Sequence, residues 1–261
     1  IVCPYHGWEF GSDGECRNIP SIGYGKKVPP RAKIDSYPVQ EKYGIVFAFL
    51  GDLPERDRPP MLVIPEWEQP GWRANTVITL DLNYYYERSI ENGLDPAHNE
   101  YVHTTHGHQG ERESEYRVNE LESAQNNAWG YGFMHTYDAP PLRNGVLRFS
   151  RRQGGKMQAG SGTYGPNQMW TYIHISETKA MHQYLFEAPI DERTTRVFLV
   201  TFRNIVFFKG GLLAKLNNWL DRKITVRNLF VAGQDITVVK QLQPVLTPPS
   251  TARELMMPAD R

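Results

Sequence analysis

The chain is poor in cysteine: Cys3 and Cys16 are its only thiols in 261 residues, too few for a disulfide framework. It also lacks an excess of either charge, because 29 basic side chains balance 29 acidic ones, which removes the electrostatic argument for nucleic acid or an anionic membrane as a partner. No apolar run approaches the roughly 18 residues of a membrane-spanning helix, and the first residues do not resemble a secretory leader. We therefore expect a soluble, cytoplasmic protein.

With 40% hydrophobic residues the chain can bury a sizeable core, and its turn residues divide it into two domains. Up to residue 51, short apolar runs alternate with Gly and Pro, which is typical of a small β-domain. Residues 52–72 hold five prolines among charged residues and are interpreted as a linker. Residues 73–261 are expected to form a second, α+β domain.

The second domain is predicted to begin with a strand at 75–82 and a helical segment at about 84–103. Apolar and aromatic runs at hairpin spacing then predict antiparallel strands at 128–137, 146–152, 169–175, 182–187 and 195–203. The Gly-rich stretch 153–168 is interpreted as a long hairpin connection. Near the end, helical spacing of apolar residues predicts one helix at 212–220 and a second at 234–242.

Cys3 and His6 lie three residues apart in a loop with Gly and Pro, a spacing that lets both side chains reach one metal ion. Rieske centres combine cysteine and histidine ligands from a C-x-H loop and a C-x-x-H loop, and the segment Cys3-Pro-Tyr-His6-Gly-Trp8 resembles the second of these. A chance pairing or half of a zinc knuckle is the alternative. Cys16 is expected to be buried without a ligand role. No C-x-H precedes Cys3, so we expect either a fragment or a lost cluster.

The stretch from Asn92 to His103 is the richest in potential metal ligands. On a helix, Asn92, Asp95 and His98 are i, i+3 neighbours and form one polar stripe. His103 lies about 140° further round an ideal helix than His98, so the two imidazoles converge only if the helix ends or distorts between them. Pro96 is consistent with such a distortion. A polar helix with two hydrogen-bonded histidines is the alternative to a metal site.

A late carboxylate can complete this site. Asp235 lies at helical spacing from three apolar residues, namely Val238, Val239 and Leu242. It is therefore predicted to point inward, where an unpaired carboxylate is costly and a metal is one of few partners that can satisfy it. His98, His103 and Asp235 would then form a 2-His-1-carboxylate triad, a set that suits non-haem Fe(II) and O₂. A helix N-cap or a salt bridge is the alternative for Asp235, and Asp221 is the competing carboxylate.

In chain order, C-x-x-H-G-W, a proline-rich linker, N-x-x-D-x-x-H-x-x-x-x-H and a late aspartate resemble the catalytic α subunit of Rieske non-haem iron oxygenases. The resemblance covers nearly the whole chain. It implies part of a Rieske β-domain, followed by a helix-grip (START-like) catalytic domain in which a curved antiparallel sheet packs on a long helix. The domains would be residues 1–51, the linker 52–72 and the catalytic domain 73–261.

The resemblance also implies roles for the residues above. Cys3 and His6 would be ligands of a [2Fe-2S] cluster, and the triad would hold a mononuclear Fe(II). Asp95 would be the carboxylate that bridges the two centres, and Asn92 an amide near the iron. The cluster of one subunit would serve its neighbour in a head-to-tail homotrimer, with His6 of one chain facing Asp95 of the next.

A Rieske oxygenase would take electrons from NAD(P)H through a reductase, with or without a ferredoxin. With O₂ it would convert a small, aromatic or cyclic organic substrate to a cis-diol, an alcohol or a demethylated product. Relatives tend to continue into a final helix beyond the last residues here, so a fragment is expected rather than a degenerate enzyme.

Two other functions stay open. A zinc hydrolase could use the same triad with a metal-bound water, but it gives Cys3 and His6 no role. A non-catalytic iron–sulfur electron-transfer protein would leave the triad as idle polar groups in a core.

The remaining histidines and aromatic residues are assigned structural roles. His106 and His108 are expected to be solvated loop residues, and the strand histidines to be satisfied within the sheet: His135, His174 and His182. Five aromatic residues on strand faces are expected to belong to the core rather than to line a substrate cavity: Phe133, Trp170, Tyr172, Phe186 and Phe202.

Overall fold

The computed structural model describes residues 1–111, 113–114, 118, 121–138, 156–205, 214–248, 250, 255 and 257. They belong to two compact units, Ile1–Arg58 and Pro59–Arg261. Among these residues, no helix combines the length and the apolar character needed to cross a membrane.

The first unit contains four short strands, as expected for a small β-domain. These are β1 (Glu9–Phe10), β2 (Cys16–Asn18), β3 (Val39–Lys42) and β4 (Ile45–Ala48). Strand β1 pairs with β2 and β3 with β4, both antiparallel. Tyr43 and Gly44 join β3 to β4 with φ of 58° and 73°, the two left-handed residues that a tight two-residue hairpin requires.

In the described part of the second unit, eight strands form an antiparallel sheet. They are β5 (Arg73–Ala74), β6 (Ile78–Leu82), β7 (Glu122–Asn127), β8 (Gly130–Asp138), β9 (Lys156–Tyr164), β10 (Gln168–Ser176), β11 (Lys179–Asp191) and β12 (Thr194–Arg203). Their order is β5-β12-β11-β10-β9-β8-β7, and β6 also pairs with β12. Among the residues described here, three helices accompany the sheet: α1 (Tyr86–Leu94), α2 (His98–Val102) and α3 (Ala214–Val239). The expected α+β domain with a long helix on an antiparallel sheet is confirmed.

The helical segment predicted at 84–103 is two helices rather than one. Asp95 is extended, with φ −82° and ψ 111°, because the ring of Pro96 disfavours helical backbone in the residue before it. Asn92 and His98 therefore lie on different helices and do not share one stripe. The prediction that the helix ends between His98 and His103 is confirmed, since α2 ends at Val102 and His103 is extended.

The two helices predicted near the end are one helix of 26 residues, α3. No proline interrupts the intervening sequence, and the single Gly233 is tolerated within a long helix. The prediction that Asp235 shares an apolar helix face with Val238, Val239 and Leu242 was partly wrong. Val239 is buried, but Val238 is 44% exposed and Leu242 lies beyond the helix. Leu212 and Leu213, and the strand predicted at 146–152, lie outside the described residues.

The Gly-rich stretch is strand β9 from Lys156 onward, not a hairpin connection. Its glycines permit close packing: a Cβ on Gly162 would lie 2.3 Å from the ring of Trp170, and one on Gly160 would lie 2.0 Å from the carbonyl oxygen of Phe133. Strand β7 was not predicted.

The two faces of the sheet are covered differently. On one face Leu82, Tyr84 and Val197 form a core cluster with Val239 of α3. The other face is covered by the segment 59–72, where Trp67 packs edge-on against Phe202 and Trp72 lies 4.7 Å from the His182 ring.

A buried hydrogen-bond network ties this segment to the sheet. Glu66 is 5% exposed; its Oε1 lies 2.6 Å from Nδ1 of His182 and its Oε2 accepts a 2.7 Å bond from the Tyr184 hydroxyl. The network continues to Tyr172 and His174, at 3.0 Å each. The expectation that the strand histidines are satisfied is confirmed for His174 and His182. It was wrong for His135, whose Nδ1 is buried without a hydrogen-bond partner among the described residues. Burial alone would raise the pKa of Glu66, but the bonds from His182 and Tyr184 and the charge of His182 outweigh it and lower this pKa.

The Glu66 network makes stability depend on pH in a defined direction. A lowered native pKa stabilises the fold above the ordinary pKa of 4.5, and this contribution disappears as the pH falls through the native value. We expect Glu66→Gln to lower the free energy of unfolding by about 2 kcal/mol at pH 7, and by progressively less below pH ~4. Urea unfolding across this pH range measures the difference. The exposed Glu177→Gln is the control, and an equal loss at every pH would contradict the charge-based account.

Candidate metal centre

Three side chains predicted as metal ligands come together in the second unit. His98 opens α2, His103 directly follows it, and Asp235 comes from α3. The Nε2 atoms of His98 and His103 are 3.2 Å apart, and Oδ1 of Asp235 lies 3.6 Å and 3.3 Å from them. Atoms bound at about 2.1 Å to one metal lie at such separations. Among the described residues, this is the group of three or more His, Cys, Asp or Glu side chains with that geometry.

The hydrogen bonds behind the imidazoles determine which nitrogen carries the proton. Nδ1 of His98 lies 2.6 Å from the backbone oxygen of Asp95, and Nδ1 of His103 lies 3.3 Å from Oε1 of Gln234. Both oxygens can only accept, so both Nδ1 atoms must donate. In the neutral rings the two Nε2 atoms are then left with lone pairs, the form that binds a metal.

Electrostatics favour a cation at the meeting point. Oδ1 of Asp235 is buried without a hydrogen-bond partner. Burial lowers the pKa of His98 despite the nearby charge of Asp235, which favours the neutral ring. Two nitrogen lone pairs and a carboxylate oxygen repel one another, and a divalent cation between them would satisfy all three. The residues present therefore fit a 2-His-1-carboxylate metal.

Asp221 does not compete for this role. Its carboxylate accepts hydrogen bonds from Arg203, at 2.8 Å, and from Arg73. It serves to join α3 to the sheet.

Asp95 is the C-cap of α1 and supports its neighbours with both backbone and side chain. Its Oδ1 accepts a 2.6 Å bond from the N–H of Ala97, and its Oδ2 lies 3.8 Å from Nδ1 of His98. The side chain is 39% exposed. Asn92 is half-buried on α1, and its carbonyl oxygen accepts a 3.3 Å bond from the N–H of Asp95.

The loop after His103 is held by residues that the sequence analysis missed. The buried carboxylate of Glu100 accepts bonds from the N–H groups of His108 and Gly110, at 3.1 and 3.3 Å. Gly107 lies so close to α2 that a Cβ would be 2.2 Å from the carbonyl oxygen of Asn99. Glu100 acts on residues 8 and 10 positions further along the loop, whereas Gln234 reaches His103 across 131 positions, a tertiary contact that no local spacing reveals.

The prediction that His106 is solvated was wrong. Its ring stacks on His103 with centroids 4.4 Å apart, and its Nε2 lies 3.1 Å from Oδ1 of Asn99. Burial lowers the pKa of His106 to about 3. The loop that carries His103 folds back on α2, which shields this ring from water.

In the first unit, Cys3 and His6 lie in a tight loop. The N–H of Gly7 donates to the carbonyl oxygen of Cys3 at 2.9 Å, and Gly7 has φ of 72°. Cys3 is half-buried and His6 is exposed. Cys16 is buried as expected, and its thiol donates to the carbonyl oxygen of Asn18.

Family models match both units. The model of the vanillate O-demethylase oxygenase C-terminal domain matches residues 82–261, and that of the Rieske [2Fe-2S] domain matches residues 1–38. The chain belongs to the Rieske non-haem iron oxygenases. A [2Fe-2S] cluster and a mononuclear iron are typical of this family.

Two relatives of this Rieske oxygenase chain are named for ring compounds. It is 28% identical over 227 residues to the 4beta-methylsterol monooxygenase of Methylococcus capsulatus, which covers 84% of this chain and 54% of the relative. It is 35% identical over 106 residues to chlorophyllide a oxygenase of Arabidopsis thaliana, 40% of this chain and 18% of the relative. The chain thus spans about half or less of these relatives. Pseudomonas putida CBB5 NdmA with caffeine has the same fold, with a TM-score of 0.75 at 20% identity over 100% of this chain and 68% of that one.

The role of Gln234 can be tested without any metal. In Gln234→Leu the Nδ1–H of His103 loses its acceptor, so we expect this ring to change to the tautomer with the proton on Nε2, while His98 keeps its form. Long-range ¹H–¹⁵N correlation spectra of histidine-labelled protein near pH 8 distinguish the two tautomers. Gln241→Leu is the matched control. An unchanged His103 spectrum in Gln234→Leu would disprove the assignment.

Proposed function

We propose that the chain is the catalytic α subunit of a Rieske-type oxygenase, with His98, His103 and Asp235 as the ligands of a mononuclear Fe(II). The observation that carries this proposal is the convergence of the Nε2 atoms of His98 and His103 and Oδ1 of Asp235 within 3.6 Å, with both Nδ1 atoms hydrogen-bonded on the other side of the rings. The reaction would be hydroxylation, dihydroxylation or demethylation of a small aromatic or cyclic compound. Relatives named for sterol and chlorophyllide substrates support a ring compound.

Neighbouring residues prepare the proposed ligands to bind a metal. Asp95 and Gln234 keep the Nδ1 protons in place, so the Nε2 atoms of both histidines stay free to coordinate. Asp235 supplies the negative charge that offsets part of the metal charge. Where bound, the iron supplies a redox-active centre for O₂, and a cluster held in part by Cys3 and His6 supplies single electrons.

Electron entry is proposed to pass between subunits. The carboxylate of Asp95 is 39% exposed and lies beside His98, and the ring of His6 is exposed as well, which would allow contact between neighbours in a homotrimer. Asn92 is proposed as an amide near the iron. An NAD(P)H-dependent reductase, with or without a ferredoxin, would be the electron source, and the cytoplasm is the proposed location.

Metal titration tests the triad. We expect anaerobic protein to bind one Fe(II) through these residues, and both Asp235→Asn and His98→Ala to weaken binding at least about 100-fold, because each removes a ligand. His174→Ala, on the other face of the sheet, is the control. Tight Fe(II) binding by both triad variants would refute the assignment. A preference for zinc together with hydrolytic activity would favour the hydrolase instead.

Asp95 is tested separately, because its backbone and side chain have different tasks. His98 bonds to the backbone oxygen of Asp95, so Asp95→Asn preserves that contact and removes only the carboxylate charge. We expect unchanged Fe(II) affinity but at least about tenfold slower turnover with NADH and a reductase. Wild-type turnover in Asp95→Asn would exclude the bridging role, whereas loss of Fe(II) would show that the residue supports the metal.

A further inference from the structure

A row of polar side chains crosses the centre of the sheet. Ser161, Thr171, Gln183 and Thr201 are direct partners on the consecutive strands β9, β10, β11 and β12. Residues directly opposite one another in antiparallel strands project from the same face. The hydroxyl oxygens of Ser161 and Thr171 are 3.3 Å apart, as this register requires. We call these four residues the polar row.

The polar row faces α3. The amide of Asn228 on α3 donates a 3.1 Å bond to the hydroxyl of Thr201. Leu185, two residues beyond Gln183 and so on the same face, packs against the cluster that contains Val239 of α3. The polar row therefore lies between sheet and helix, on the same side as the proposed iron ligands.

The polar row is less completely buried than the opposite face of the sheet, although Ser161 and Thr201 within it are 8% and 0% exposed. On the opposite face, the central residues Trp170, Tyr184 and Phe202 are 3%, 0% and 1% exposed. Thr171 and Gln183 are only half-buried, although their strands lie well inside the sheet. Within the described part of the chain, no hydrogen-bond partner satisfies the Gln183 amide. The Gln183 amide is partly accessible, so it is free to bond water or a group of a ligand.

Half-buried apolar residues flank the polar row on the sheet and on α3. Ile173 and Met181, one step along the strands from the polar row on the same face, are half-buried too, as is Val231 on α3. Asn228, which marks the polar row on α3, precedes Asp235 by seven residues, or about 10 Å of helix. A ligand lying under α3 would thus have one end near the triad and the other at the polar row.

The charges nearby favour a neutral ligand group. Arg203, beside the row on β12, is already bound to Asp221 and to the carbonyl oxygen of Ile205. Glu187 is 1% exposed and accepts a bond from Ser89. Burial lowers the pKa of His135, on the same face, which favours its neutral ring. Among the described residues, no unpaired cation faces the row to offset a carboxylate.

We propose that Gln183 and Thr171, with Ser161, form a substrate subsite for a neutral hydrogen-bonding group, such as an amide or carbonyl, on a mainly apolar ring compound. This inference rests on the proposed function, since it places the other end of that compound at the triad. Gln183 would determine specificity, because its amide can both donate to and accept from such a group.

Three probes of similar shape test the subsite: 4-methoxybenzamide, 4-methoxybenzoate and 4-methoxytoluene, titrated into the full chain by calorimetry. We expect the benzamide to bind at least about tenfold more tightly than the other two, and Gln183→Leu and Thr171→Val to remove most of this preference. Thr171→Val conserves shape, so it keeps the test valid if the leucine variant is unstable. Gln158→Leu, at an exposed site on β9, is the matched control.

The outcomes separate the subsite from the iron centre. Fe(II) affinity is measured on the same variants and is expected to be unchanged, because none of these residues belongs to the triad. A preference for the benzoate, equal binding of the benzamide to wild type and both variants, or no benzamide binding to wild type would overturn the subsite. Benzamide selectivity in a chain that binds no Fe(II) would retain the subsite and refute the proposed function.

Discussion

The Nε2 atoms of two imidazoles and a carboxylate oxygen meet at 3.2–3.6 Å, and the second unit holds them there. Hydrogen bonds on the other side of each imidazole hold the rings in place, because each Nδ1 meets an oxygen that can only accept a hydrogen bond. Such an arrangement is costly without a cation. It persists because the backbone around it has few alternatives, with Pro96 between two helices and Gly107 pressed against α2.

Helix α3 fixes the position of this site relative to the sheet. Its early part is bound to the sheet through Asp221 and Arg203, its middle through Asn228 and Thr201, and its end through Val239 in the core cluster. An α-helix anchored at three points can shift little along its axis, so the position of Asp235 follows from contacts up to 14 residues away in sequence. The site thus depends on the strand register as much as on its own residues.

What the sequence predicted depended on the distance over which each interaction acts. The pattern from Asn92 to His103 could be read because its residues lie within one short segment and Pro96 has a local effect on the backbone. The inward position of Asp235 was predicted from a helical face that is only partly apolar, since Val238 is exposed. Gln234 acts on His103 across 131 positions, and Glu66 on His182 across 116, so no local pattern revealed either.

The two faces of the sheet have different roles, one in stability and the other in the proposed function. The face under residues 59–72 is closed, and the buried carboxylate of Glu66 has partners on both oxygens there. Burial on that face stabilises the fold. The helix-facing side can therefore keep half-buried polar groups such as Gln183. A substrate that covered those groups would also bury the apolar surface beside them. Binding would then cover this face of the sheet, as the segment 59–72 covers the other.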